Sequence, residues 1–290
     1  MISSAQNYPI STLFGVDSKI VYRIPRYQRQ YTWAKKHWER LLDDLLENKE
    51  GYFLGSIICI NQSEDAVGPQ PLELVDGQQR MTTITLLTAA IYNFLRNHHD
   101  ELDDDQRLDM SNLKRKLVLR DPDGLLRLTP QVENRNLDDY RYVLHQSGLC
   151  PETDYPSNAG NRRLMKAYRY FEGRVSDFIE QEGGALDPVF SILIPRLNQA
   201  CIVKIEVDNH ADAYTLFESL NNRGEPLTAV DLIKNSLLAK LESKHPGQID
   251  EHYRKWTLLI TDLGDDYRDQ ERFFRNYYNA FRWRWGAKDL

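Results

Sequence analysis

A strand, a tight turn and a helix follow one another without a gap in the N-terminal third of the chain. The apolar run at residues 72–75 predicts a strand, Asp76-Gly77 predicts a turn, and residues 81–96 are typical of a helix. The first turn of a helix carries backbone N–H groups without intrahelical partners and a partial positive charge. A strand that turns directly into a helix is therefore a place where phosphate can bind.

The side chains around this turn suit the same chemistry. Asp76 can hold a hard cation such as Mg²⁺, Gly77 lets a ligand approach the backbone, and Arg80 can fork onto phosphate oxygens. Thr82 and Thr83 supply hydroxyl groups at the start of the helix. Asp-Gly also marks many ordinary turns, so the alternative is a turn that binds nothing.

Composition limits the class of protein. Of the 290 residues, 41% are hydrophobic and 28% charged, values typical of a folded, soluble protein rather than a disordered one. No run approaches the eighteen or so apolar residues of a membrane span, and no basic region followed by an apolar one opens the chain, so a cytoplasmic protein without a membrane partner is predicted. Cys59, Cys150 and Cys201 lack metal-ligand spacing and are predicted to be reduced, mostly buried thiols.

The order of patterns predicts an α+β fold with a mixed sheet and a large helical elaboration. Strands are predicted at residues 19–24, 51–60, 72–75 and 201–207, and helices at 37–46, 81–96, 211–220 and 228–241, with two or three more between 136 and 197. Asp121-Pro122-Asp123-Gly124 predicts a hairpin turn between residues 116–120 and 125–129. The length favours two packed lobes, a core at residues 1–98 and a mainly helical lobe at 99–290, from which the strand at 201–207 returns to the sheet.

Basic residues concentrate in one segment of an otherwise acidic chain. The net charge is −6, yet Glu39 is the single acid among the basic residues between positions 19 and 40. These basic residues are Lys19, Arg23, Arg26, Arg29, Lys35, Lys36 and Arg40. A basic face on an acidic body follows, and such a face would bind DNA in a salt-dependent manner.

Residues 24–33, with the sequence IPRYQRQYTW, combine arginines, glutamines and aromatic residues around a proline. Aromatic faces stack on bases, glutamines bond to base edges and arginines bind phosphates. The residues predicted to recognise DNA or a base are Arg26, Tyr27, Gln28, Arg29, Gln30, Tyr31, Trp33, Lys35 and Lys36. The alternative is that the aromatic residues anchor a loop in the core while the arginines face solvent.

Two later segments also have two interpretations. Asn221 and Arg223, in a polar interhelical loop, could close over a bound phosphate or sugar, although helix capping explains the same residue types. The run at residues 272–285 alternates basic and aromatic residues. Its aromatic residues recur at helical spacing, which predicts an amphipathic helix docked on the core rather than a nucleic-acid surface. The stripe consists of Phe274, Tyr277, Tyr278, Phe281 and Trp285.

Three segments together resemble one protein family. They are IPRYQRQYTW, LVDGQQRMTT at residues 74–83, and FESLNNRGEPLTAVDLIKN at residues 217–235. In this order they resemble the N-terminal nucleotide-hydrolysing domain of GmrSD-type, modification-dependent restriction enzymes, whose relatives include SspE-like and BrxU-like proteins.

The resemblance implies a ParB/sulfiredoxin-like core and a function in antiphage defence. It implies that the turn binds a nucleoside triphosphate (ATP, GTP, CTP or UTP) with Mg²⁺, and that hydrolysis drives or gates a nuclease. The implied catalytic residues are Asp76, Gln79 and Arg80, and the implied nucleotide-binding residues are Gly77, Gln78, Thr82, Thr83, Asn221 and Arg223. Residues 24–33 are implied to sense modified DNA, such as DNA with phosphorothioate linkages.

The sequence departs from the family in one respect. Family members that cut DNA carry an HNH nuclease domain, and this sequence contains no such pattern, so the nuclease is expected on a further part of the protein or on a separate subunit. The expected partners are modified DNA, that nuclease and, in a homo-oligomer, a second copy. Two alternatives stay open at this point: a nucleotide-gated DNA-binding switch without turnover, and a structural interaction module.

Overall fold

The chain divides into two compact units, Met1–Asp208 and Asn209–Leu290. The structure is a computed structural model that describes residues 2–25, 28–63, 68–120, 124–131, 135–151, 153, 155–156, 162–220, 228–245, 248–264 and 266–282. The first unit contains the sheet and the DGQQR turn (Asp76 to Arg80), and the second unit is helical. The lobe boundary at residues 98 and 99 stays a prediction.

The sheet of the first unit has six strands within the described ranges, in the order β1-β6-β3-β4-β2-β5. The strands are β1 (Ile2–Pro9), β2 (Ile20–Arg23), β3 (Phe53–Asn61), β4 (Gln70–Asp76), β5 (Leu128–Thr129) and β6 (Cys201–Val207). β1 with β6 and β3 with β4 are antiparallel, whereas β6 with β3 and β2 with both β4 and β5 are parallel. The mixed sheet confirms the predicted α+β class.

Most of the remaining described residues in both units are helical. In the first unit the helices are α1 (Ile10–Leu13), α2 (Lys35–Glu47), α3 (Gln78–Asn97), α4 (Asp104–Leu117), α5 (Asn136–Gln146), α6 (Arg163–Gln181) and α7 (Ile194–Gln199), with a 3₁₀ turn at His99–Glu101 and a π-helical turn at Val189–Leu193. The second unit has α8 (His210–Leu220), α9 (Ala229–Lys244), α10 (Ile249–Leu263) and α11 (Tyr267–Arg282). In the described part of the chain, no helix combines the length and apolar character needed to cross a bilayer.

Helix α3 is the central helix of the first unit and packs against α4 and α6. Most of its 20 residues are buried, including four threonines. The hydroxyls of Thr83, Thr85 and Thr88 donate to carbonyls one turn earlier, at 2.7, 2.9 and 2.8 Å. Because a buried hydroxyl without a partner is costly, these bonds let polar residues occupy an interior helix.

The structure confirms the strands and helices predicted from periodicity, with shifts of a few residues at their ends. It adds β1, which sequence analysis missed because residues 2–9 do not alternate between apolar and polar. β1 lies at the edge of the sheet and pairs with β6. Its strand conformation therefore depends on the partner ladder more than on its own side chains.

The predicted hairpin at residues 116–129 is wrong in its first arm. Lys116 and Leu117 end helix α4, because Leu113 and Leu117 continue its buried face at helical spacing. Antiparallel pairing is limited to a single bridge between Val118 and Leu126, after which β5 runs parallel to β2. Asp121, Pro122 and Asp123 lie outside the described residues.

The predicted docking of the C-terminal aromatic stripe is also wrong for most of its described residues. Phe274 stacks on Trp256 of α10 with ring centroids 5.3 Å apart, but Tyr277, Tyr278 and Phe281 are 56%, 64% and 41% exposed. Helical spacing shows which face of a helix is apolar and does not show whether a neighbour covers that face. Trp285 lies outside the described residues.

Candidate functional site

The DGQQR turn requires glycine at its second position. Gly77 has φ 86° and ψ 7°, a left-handed conformation, and is the N-cap residue of α3. A Cβ atom here would lie 2.5 Å from Cγ2 of Ile57 and 3.2 Å from the carbonyl oxygen of Ser56. Glycine has no side chain to cap the N–H groups of the first turn, and that turn contains no acidic residue, so neither of these common partners satisfies the donors.

Arg80 is held against strand β3 on the same side of the turn. Its Nη1 donates a hydrogen bond of 2.9 Å to the carbonyl oxygen of Ser56. The guanidinium lies over Gly55, where a Cβ atom would be 2.6 Å from Nη2. Gly55 also has φ +117°, so any side chain at this position would be strained and would displace Arg80.

Gly55 and Ser56 are therefore part of the site, although sequence analysis did not select them. A signal was present, because a glycine inside an apolar strand pattern marks a close approach of another group. Nothing in the sequence shows that the approaching group is Arg80, which lies on a different element.

Asp76 ends β4 and is partly exposed beside Gly77. Burial raises the pKa of its carboxyl, whereas the N–H of Gly77 and the charges of Arg80 and Arg29 act in the opposite direction. Burial lowers the pKa of Arg80, and the charge of Asp76 counteracts this effect. The turn thus places one carboxyl beside two guanidinium groups, with partial access to solvent.

Gln28 connects the loop that follows β2 to this turn. Its Nε2 donates to the carbonyl oxygen of Val75 at 2.6 Å, and its Oε1 accepts from Nε2 of Gln78 at 3.0 Å. Its own carbonyl oxygen accepts from Nε2 of Gln131 at 2.6 Å. The amides of Gln28 and Gln78 are therefore bonded to each other and to the backbone in this structure.

Gln79 connects α3 to the same loop more extensively. Its Oε1 accepts from the N–H groups of Thr32 and Trp33 at 2.7 and 3.2 Å, and its Nε2 donates to the carbonyl oxygen of Gln30 at 3.0 Å. The side chain is buried, with 7% exposure. Gln79 therefore holds three consecutive peptide groups of the loop against the start of α3.

Tyr31 adds a buried contact to this clamp. Its hydroxyl lies 2.7 Å from Oγ1 of Thr83, and because Thr83 donates to the carbonyl oxygen of Gln79, Tyr31 is the donor. Tyr31 thus anchors the loop in the core, as the alternative interpretation of residues 24–33 predicted. Trp33 is partly buried and stacks on His37 with ring centroids 5.5 Å apart.

Little free space remains between the loop and α3. A cavity of about 10 Å³ lies there, room for about one water molecule. It is lined by residues that include Arg29, Tyr31, Gln78, Gln79, Thr82 and Gln131. Asp76, Gly77 and Arg80 are not among the lining residues of this cavity, and all three are partly exposed.

The predicted DNA-binding residues differ in exposure. Gln30, Lys35 and Lys36 are exposed, and Lys35 pairs with Glu39 across one turn of α2 at 3.3 Å. Arg29 is partly buried and its charge acts on Asp76. Arg26, Tyr27, Asn221 and Arg223 lie outside the described residues.

A metal ion at the turn would have one protein carboxylate. Among residues that the structure describes, no three His, Cys, Asp or Glu side chains are grouped as metal ligands. Mg²⁺ commonly binds through one or two carboxylates together with water and substrate phosphates, so Asp76 alone fits such an ion once a phosphate ligand is present.

Fold and site together define an α+β protein in which a glycine turn joins a strand to a long buried helix and an arginine is fixed beside that turn. The family model of the GmrSD restriction endonuclease N-terminal domain matches residues 10–238, which include all three segments on which the resemblance depends. The chain belongs to this family, and the family is part of a DNA restriction system with a nuclease. A comparison with curated proteins returned no match.

Proposed function

We propose that this chain is the nucleotide-hydrolysing, DNA-sensing domain of a modification-dependent antiphage restriction system. Hydrolysis of a nucleoside triphosphate would drive or gate a separate HNH nuclease domain or subunit. The observation that supports this most is the arrangement of Asp76, Gly77 and Arg80. A left-handed glycine leaves the helix N–H groups uncapped, and a guanidinium is fixed beside them by Ser56 and Gly55.

The chemistry would be mainly electrostatic. The N–H groups at the start of α3 and the guanidinium of Arg80 would bind phosphoryl oxygens and stabilise the charge that develops on them. Asp76 would hold Mg²⁺, which supplies charge neutralisation on the phosphates when bound. Because Arg80 is already fixed by β3, it needs little reorganisation to act.

The fold of the nucleotide-binding part is proposed to be ParB/sulfiredoxin-like. The support is the small mixed sheet with a strand, glycine turn and helix at its centre. The loop at residues 28–33 and the start of α2 would contact modified DNA through Arg29, Gln30, Lys35 and Lys36.

Phosphate release from each of the four triphosphates tests the hydrolase. Replacement of Arg80 by alanine is expected to lower the rate by about 100-fold or more, the typical cost of removing a donor that stabilises transition-state charge. The matched control is Arg141→Ala, which removes an exposed arginine from α5 and should keep the parental rate. Parental turnover in Arg80→Ala would refute the assignment.

A second candidate function is a nucleotide-gated DNA-binding switch with negligible turnover. The clamp formed by Gln79 favours it, because both ends of this amide bond to the loop backbone and hold the loop against α3. A ligand at the start of α3 would change the equilibrium between clamped and released loop by its differential affinity for the two states.

Calorimetry and phosphate release on the same samples distinguish the two functions. A hydrolase gives binding heat followed by product, whereas a switch gives binding heat and nucleotide-dependent DNA affinity without product. For the switch, Gln79→Ala should uncouple DNA affinity from nucleotide. If nucleotide still changed DNA affinity by the parental factor in this variant, the clamp would not be the switch.

DNA contact is tested by charge reversal of Arg29, Lys35 and Lys36. The triple change to glutamate should weaken binding of modified DNA and reduce the dependence of binding on salt, since each lost phosphate contact removes nearly one unit of the salt slope. Reversal of three exposed cations outside residues 24–36, Arg120, Arg141 and Lys166, makes the same change in net charge and serves as the control. Unchanged affinity at low salt in the triple variant would exclude this surface.

A further inference from the structure

A second cavity, of about 370 Å³, lies at the opposite end of α3, between α3, α5 and α6. Its volume is within the range of small-molecule sites. The lining residues on which the inference depends are Asn93, Arg96, Tyr142, Tyr155, Arg169 and Glu172. None of them was selected from the sequence.

The cavity is separate from the DGQQR turn. Arg80 and Arg96 are on the same helix, 16 positions apart, which at 1.5 Å per residue places their Cα atoms about 24 Å apart along the axis. A ligand of nucleotide size bound at one end cannot reach the other. The two sites can therefore be tested independently.

One wall of the cavity is aromatic. The rings of Tyr142 and Tyr155 meet edge to face with centroids 5.0 Å apart. Nε2 of Gln146 donates to the hydroxyl of Tyr142 at 3.2 Å. This wall offers a ring face on which a planar ligand can stack.

The inner side of the cavity is polar. Nδ2 of Asn93 donates to Oε1 of Glu172 at 3.3 Å, so an amide and a carboxylate lie side by side. Tyr168 forms part of the lining, and burial raises the pKa of its hydroxyl, with the charge of Glu172 acting in the same direction. Together these groups can accept from an amino group and donate to a carbonyl, the combination found on base edges.

The rim of the cavity carries two cations. Nη1 of Arg96 donates to the carbonyl oxygen of Gln146 at 3.2 Å and lies close to Gly148, where a Cβ atom would be 2.8 Å from it. Arg169 is exposed on α6. Two guanidinium groups against the one carboxylate of Glu172 leave a positive excess, which suits a phosphate.

We propose that this cavity binds a nucleoside monophosphate unit, with its base against Tyr142, its base edge toward Asn93 and Glu172, and its phosphate at Arg96 and Arg169. The unit could be a free nucleotide or one nucleotide of a single DNA strand, since both present the same ring and phosphate. The proposal does not depend on hydrolysis at the DGQQR turn.

The test measures binding of the four free deoxynucleoside monophosphates, and of short single-stranded oligonucleotides, to the full chain by calorimetry. Arg169→Glu and Tyr142→Ala should each weaken binding at least tenfold. The matched control for charge is Lys166→Glu, which reverses an exposed cation of α6 outside the cavity lining and should change affinity by less than twofold. Thermal unfolding of every variant monitors folding, and Tyr142→Phe, which keeps the ring, should restore binding to within threefold.

A free nucleotide and a nucleotide within a DNA strand are distinguished by which ligand binds. Binding of free monophosphates that is lost in Arg169→Glu indicates a free nucleotide, whereas binding of oligonucleotides alone, lost in the same variant, indicates a strand. The proposal is overturned if neither binds at millimolar concentration, or if Arg169→Glu and Lys166→Glu bind equally. Neither Arg169 nor Lys166 belongs to the DGQQR turn, so the comparison of these two variants stays interpretable if the proposed hydrolase fails.

Discussion

The two ends of helix α3 are built by different means. At its N-terminal end, backbone groups approach within contact distance, Gly77 sits against Ile57, and the clamp of Gln79 leaves room for about one water molecule. At its C-terminal end, side chains from α3, α5 and α6, together with Tyr155 between α5 and α6, line a cavity of about 370 Å³. The first end restricts residue type through close backbone contacts, whereas the second is formed by side chains from separate segments.

This difference determines what motifs can reveal. A turn held by backbone geometry needs glycine and a small set of partners at fixed spacing, and this requirement produces a recognisable pattern such as DGQQR. A cavity lined by α3, α5 and α6 collects residues from distant segments, with no short pattern. Four pairs of substitutions, one change at each end, test the comparison.

Glycine replacement should give the largest difference. Gly77→Ala combines left-handed strain with a clash against a buried strand, and is expected to lower the free energy of unfolding by about 2–5 kcal/mol. Gly148→Ala has the same kind of strain at φ +69°, but the group it meets is the end of the flexible Arg96 side chain, so about 1–2 kcal/mol is expected. Equilibrium urea unfolding measures both, and equal losses would contradict the rigid packing inferred at the turn.

Glutamine truncation should have the next largest effect. Gln79→Ala leaves the N–H groups of Thr32 and Trp33 without their acceptor, and about 2 kcal/mol of stability should be lost. Gln146→Ala, an exposed change at the other end, should stay within about 0.5 kcal/mol. Hydrogen exchange should also show faster exchange of the residue 30–33 amides in Gln79→Ala. Unchanged protection there would mean that the clamp does not hold the loop.

Removal of a tyrosine hydroxyl should have a smaller effect. Tyr31→Phe removes a buried bond to Thr83 and should cost about 1 kcal/mol. Tyr142→Phe removes a hydroxyl whose described hydrogen bond is to the exposed Gln146. The expected loss in the free energy of unfolding is less than about 0.5 kcal/mol. The same unfolding assay applies, and a larger loss in Tyr142→Phe would reverse the comparison.

The smallest expected effect is on the pH dependence of stability, and it should arise from Asp76 at the N-terminal end of α3. The folded protein raises the pKa of Asp76 above its ordinary value of 3.8, so it keeps a proton over a range in which the unfolded chain has lost it. Stability from this group is therefore complete below pH 3.8 and falls as pH rises through the raised value.

Unfolding free energies measured against pH check this sign. The free energy of unfolding of the parent minus that of Asp76→Asn should decrease as pH rises from about 4 toward neutrality. Asp177→Asn, an exposed change on α6, controls for the loss of one carboxylate. A difference that increased over this range would show that the charges of Arg80 and Arg29 outweigh burial at Asp76.

Much of the architecture was predictable from local pattern. Periodicity located β2, β3, β4, β6 and the helices α2, α3, α8 and α9, because each buries a regular set of apolar side chains. The helices α4 and α10 were not predicted. The hairpin at residues 116–120 was misassigned because Lys116 and Leu117 fit a helix end as well as a strand. The exposed Tyr277 and Tyr278 were misjudged because burial depends on a partner that the pattern does not contain.

The sequence by itself determined the glycine turn, its strand and helix, and the family to which the chain belongs, because backbone conformation and helix-end chemistry act over a few adjacent residues. Only the tertiary structure decided that Gly55 and Ser56 position Arg80, that Gln79 clamps residues 30–33, and that α3, α5 and α6 enclose a cavity. These contacts join residues far apart along the chain, and their energies depend on distances that only the folded arrangement sets.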